Sequence, residues 1–63
     1  MYKVTVRDHT GKAVQGIECG SWRDHAAEIY GATCRKYSPD YSIMFIDTVT
    51  NEVLKRDKGR RTQ

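Results

Sequence analysis

The sequence predicts an α+β fold: a four-stranded, mostly antiparallel sheet in β-β-α-β-β order, with one amphipathic helix packed on one face. Three observations predict it. Only the stretch from Ser21 to Ser38 has extended helical periodicity. Tyr2 to Arg7 alternates apolar and polar residues, as a half-buried strand does. Two turn-rich stretches, 8–12 and 47–52, each separate a pair of short apolar runs, as hairpin loops do.

In the first strand Tyr2, Val4 and Val6 share one face, with Lys3, Thr5 and Arg7 on the other. Asp8 can bond the backbone ahead of it, and Gly11 can take positive φ, so the chain turns. A second strand follows from about Ala13 to Cys19. Its alternation is broken between Val14 and Ile17, which predicts a bulge at Gly16.

The helix is expected to start at Ser21, as a cap with Asp24 three residues on, and to stop before Pro39. At about 100° per residue, Trp22, Ala26, Ile29, Tyr30, Thr33 and Tyr37 form one apolar stripe. Trp22 is expected to anchor the core. Tyr41 to Ile46 is apolar on both parities, which predicts a central strand with something over each face. Asn51 suits the left-handed position of the next turn, and Val53 to Arg56 returns as a short last strand.

At 63 residues the chain makes one small domain, expected over 1–56, with a basic, flexible C-terminal tail over 57–63. The charge supports this division. Through Leu54 there are six Lys or Arg against seven Asp or Glu, whereas from Lys55 onward five cations face Asp57 alone. No apolar run reaches transmembrane length, and charges at Lys3, Arg7 and Asp8 argue against a signal peptide. Two cysteines, Cys19 and Cys34, are too few for a disulfide framework and point to a reducing, cytoplasmic setting.

Catalysis finds little support. His9, His25, Cys19 and Cys34 lack the close pairing a zinc site needs, and His25 and Cys34 lie on opposite sides of the helix. Asp24 and Glu28 share a helix face but read as solvated carboxylates. No metal, no cofactor and no enzymatic activity are expected.

Surfaces carry the functional reading. One helix cannot cover both faces of the third strand, so either Met44 and Ile46, or Tyr41, Ile43 and Phe45, stay open as an interface. Ala27, Gly31 and Cys34 make a strip of small residues on the outer face of the helix. These features predict a non-enzymatic protein-binding module, a regulator or inhibitor that covers part of a larger protein or a second copy of itself. Small regulators of phages and mobile elements act in this way. Met44, Ile46, Ala27 and Gly31 are the expected partner-binding residues. The alternative is a nucleic-acid-binding protein that uses Lys55, Arg56, Lys58, Arg60 and Arg61 together with Lys3 and Arg7.

Overall fold

In chain order the elements are β1 (Tyr2–Arg7), β2 (Ala13–Glu18), α1 (Arg23–Lys36), β3 (Ser42–Asp47) and β4 (Glu52–Lys58). They are drawn from a computed structural model, which describes residues 1–61. Every strand pairing is antiparallel and the spatial order is β2-β1-β3-β4. Two hairpins therefore meet along β1 and β3, and the helix connects them. This is the α+β arrangement expected from the sequence.

The apolar parity of β1 and one parity of β3 meet under the helix. Val4, Val6, Ile43 and Phe45 are buried there against Ala26, Tyr30 and Cys34 of α1 and Cys19 of the preceding loop. Tyr2 stacks on Phe45 at 5.4 Å between ring centroids, and Tyr30 meets the same ring, tilted, at 5.6 Å. Both distances lie in the range favoured by aromatic pairs. The hairpin turns use the predicted residues. Asp8 Oδ1 accepts from the backbone N–H groups of Thr10 (2.9 Å) and Lys12 (3.1 Å). Gly11 has φ +88° and Asn51 has φ +59°.

Four expectations are corrected. Trp22 is 73% exposed. The helix starts only at Arg23, and Trp22 is its N-cap with extended backbone angles, so the helical arc does not carry its side chain inward. Cys19 reaches the core from the loop instead. Nor does a side-chain bond from Ser21 close the helix start. The bulge lies at Val14 and not at Gly16: Val6 pairs with Gln15 and Arg7 with Ala13, leaving Val14 unpaired and 47% exposed. The extra residue is absorbed at the hairpin end of an edge strand, where the ladder is easiest to break. Cys34 is buried in the core, so it leaves the outer strip to Ala27 and Gly31.

The C-terminal boundary also differs from the expected one at 56/57. β4 continues to Lys58, and the chain then runs along the end of α1. The N–H groups of Gly59, Arg60 and Arg61 donate to the carbonyls of Tyr41 (3.0 Å), Cys34 (2.6 Å) and Tyr37 (3.0 Å). Carbonyls in the last turn of a helix lack intrahelical partners, so a passing strand can satisfy them without any apolar side chain. Gly59 is buried at this crossing, and a Cβ there would run into the carbonyls of Tyr37 and Ser38. Residues 62–63 of the expected tail lie outside the described residues.

Candidate binding face

Opposed residues in an antiparallel sheet share a face, so the register maps the side that the helix leaves open. Three rows cross it: Arg7–Ser42–Lys58, Thr5–Met44–Arg56 and Lys3–Ile46–Val53. β1 thus contributes Lys3 and Arg7, β4 contributes Arg56 and Lys58, and the strand between them contributes Ser42, Met44 and Ile46. At a strand spacing of about 4.8 Å, the two cationic lines stand about 10 Å apart. Along β1, Lys3 and Arg7 are separated by about 13 Å.

Exposure differs between the charges and the apolar groups. Arg7, Arg56 and Lys58 are exposed, whereas Lys3, Met44 and Ile46 are half-buried and Thr5 is 9% exposed. Long cationic side chains can cover apolar surface with their stems while the charged head stays in water. Gly16 makes room for one stem: its missing Cβ would stand 3.1 Å from Lys3 Cε. Arg7 is held by its own hairpin, where Nη1 donates to the Gly11 carbonyl at 2.8 Å.

At one end of this face lies an open hollow of about 680 Å³, bordered by Arg7, His9, Ser42, Met44, Arg56 and Lys58, with Asp8 and Asp40 also on its wall. The Asp8 carboxylate is already engaged by the turn. Its bond from the Thr10 hydroxyl, foremost, lowers its pKa from the usual aspartate value, with the backbone N–H groups of Lys12 and Thr10 helping. Glu18, which opposes Lys3 in register, lies on the outer strand β2.

The structure brings together six of the sequence-predicted site residues: Lys3, Arg7, Met44, Ile46, Arg56 and Lys58. The others lie elsewhere. Lys55 is exposed beside a second bulge and pairs with Phe45, outside the Met44–Arg56 row. Arg60 and Arg61 sit at the C-terminal end of α1, and Arg60 approaches Asp57 at 3.6 Å. Ala27 is exposed on the far side of the helix and Gly31 is half-buried, with Arg35 Nη1 3.5 Å from where its Cβ would be. Sequence reasoning had not singled out Ser42 as part of the site. Its parity with Met44 and Ile46 was the available signal.

Burial raises the thiol pKa of both cysteines, Cys19 and Cys34, and so keeps them in the weakly reactive thiol form. Tyr30 is likewise held protonated far above the usual tyrosine range, first by burial and then by its 2.8 Å bond to Asp57 Oδ2. That bond joins helix to last strand within the fold. Among the described residues no three His, Cys, Asp or Glu side chains group as metal ligands, and no helix is long and apolar enough to cross a membrane. Comparison with protein families, curated proteins and solved structures finds no match to this chain. The surface itself must carry the functional reading.

Proposed function

We propose that this chain is a non-enzymatic binding module that lays the open face of its sheet on an acidic surface of a larger macromolecule, and so regulates what that surface does. The observation that carries this reading is the gathering of Lys3, Arg7, Arg56 and Lys58 on one face around half-buried Met44 and Ile46. Both the protein-binding and the nucleic-acid-binding sequence readings contribute residues to it. Charge leads and apolar contact follows, because Arg7, Arg56 and Lys58 are exposed while Met44 and Ile46 are half-buried.

A second copy is a poor occupant for this face. A two-fold contact sets the same patch against itself, and here cations would meet cations. The free thiols of Cys19 and Cys34 suit a reducing, cytoplasmic setting. A photo-crosslinking residue placed at Met44 or at Ala27, in cells that express the chain, tests the reading. Adducts are expected from position 44 and not from position 27. Adducts from position 27 alone would move the working surface to the helix.

A further inference from the structure

We infer that the open face is a docking surface for double-stranded DNA, with Lys3 and Arg7 on one line of phosphates and Arg56 and Lys58 on the line across the groove. This rests on the reading that the open face is the working surface, and it names the partner of that face.

The donor set fits phosphates. Lys and Arg heads supply charge and Ser42 supplies a hydroxyl, the groups that ordinarily hold phosphate oxygens. Their placement fits a groove more closely than a flat anionic surface. Two cation-bearing strands, their backbones about 10 Å apart, flank a neutral middle strand of Ser42, Met44 and Ile46. The major groove of B-form DNA is about 12 Å wide between its phosphate ridges and admits β-strands. A-form RNA has a deep, narrow major groove that side chains do not enter.

Other polyanions fit less well. Single strands are held by stacking bases on aromatic rings, and this face has none. Tyr2, Tyr37, Tyr41, Tyr30 and Phe45 pack with the core on the helix side, and Trp22 stands at the start of α1. An acidic protein would be expected to meet an apolar, aromatic-rich centre, whereas Met44 and Ile46 are half-buried. Of the carboxylates near these cations, Glu18 opposes Lys3 from β2, outside the two lines, and Asp8 and Asp40 stand at the hairpin end of the face beside Arg7 and Lys58, with Asp8 engaged by its own turn. Base reading is limited to Ser42 and the tips of Met44 and Ile46, so the docking is tolerant of sequence.

Fluorescence anisotropy of the full chain on a mixed-sequence DNA duplex, over a series of salt concentrations, tests this. Four neutralised phosphates give a log K against log salt slope of about −3.6, at about −0.9 for each contact. Lys3→Gln, Arg7→Gln, Arg56→Gln and Lys58→Gln should each make the slope shallower by about 0.9. Lys55→Gln and Arg61→Gln should leave it unchanged, and all six variants should melt as the parent chain does. Duplex RNA and single-stranded DNA should bind more weakly. A slope near zero, a slope carried by Lys55 and Arg61, or equal binding to duplex RNA would overturn the inference. Binding of polyglutamate with the same variant pattern, but not of duplex DNA, would overturn it too and leave the open face as the working surface. If neither polymer binds and the crosslinks come from position 27 alone, that underlying reading falls as well.

Discussion

The two sides of β3 show how one apolar strand serves two purposes. Ile43 and Phe45 face the helix and are 0% and 1% exposed, whereas Met44 and Ile46, between and beside them, face the open side and are half-buried. The difference lies in what covers each side. A rigid helix excludes water fully from the first pair. The second pair has no element packed over it, only the flanking side chains of β1 and β4, and stays in partial contact with water. Hydrophobic content alone therefore does not separate core from binding surface in so small a domain. The kind of cover does.

Emptying each side of β3 in turn should have very different costs. Phe45→Ala should cost about 3–5 kcal/mol and unfold most of the chain, as large truncations in a packed core do. Met44→Ala should cost under about 1 kcal/mol, because its atoms are only partly removed from water. Chemical denaturation followed by near-ultraviolet circular dichroism would measure both. Equal losses would mean that the open face is a second core.

The last strand offers the next test, since it borders both faces and then closes the helix end. Gly59→Ala places a Cβ against the carbonyls of Tyr37 and Ser38, and overpacking of this kind costs about 1–3 kcal/mol. The melting temperature reads it, and an unchanged value would detach 59–61 from the fold.

Tyr30→Phe removes the bond to Asp57 and should cost about 1–2 kcal/mol, the scale of a partly exposed hydrogen bond to a charged group. The same residue sets an alkaline limit. Its folded-state pKa is raised, so its contribution is fully present below about pH 10, the ordinary tyrosine value, and is lost as pH rises beyond that. Denaturation midpoints taken at rising pH should fall above that point in the parent chain and fall less in Tyr30→Phe. The smallest effect belongs to the outer helix surface. Trp22→Ala should change stability by under about 0.5 kcal/mol, and Gly31→Ala should raise it by up to about 1 kcal/mol, both by thermal melting.

Much of the fold was legible because alternation and turn chemistry are local. The strands, the Asp8 turn, positive φ at Gly11 and Asn51, and the central place of β3 all follow from residues a few positions apart. Trp22 was misplaced because a helical wheel assumes the helix has begun, and the start at Arg23 rests on backbone angles that composition does not report. Docking of Gly59, Arg60 and Arg61 was illegible for a related reason: it uses main-chain hydrogen bonds, which leave no apolar pattern. The candidate face was half legible. Lys3 and Arg7 were outward by parity, and Arg56 and Lys58 were visible as charge. Their meeting depends on β3 pairing with β1, a strand order that no local pattern encodes. Lys55, Arg60 and Arg61 looked equivalent to them in sequence and are sorted away by the β4 bulge and the helix end.

One side of the sheet holds the fold, and the other is proposed to meet a polyanion. Isoleucine and methionine methyl spectra recorded during a titration with duplex DNA read the two sides separately, because Ile43 and Ile46 lie three residues apart on opposite faces of one strand. The Met44 and Ile46 methyls should shift progressively, and those of Ile43 and Ile29 should stay in place. Shifts at Ile29 and Ile43 with Met44 and Ile46 unmoved would place the contact on the helix side instead.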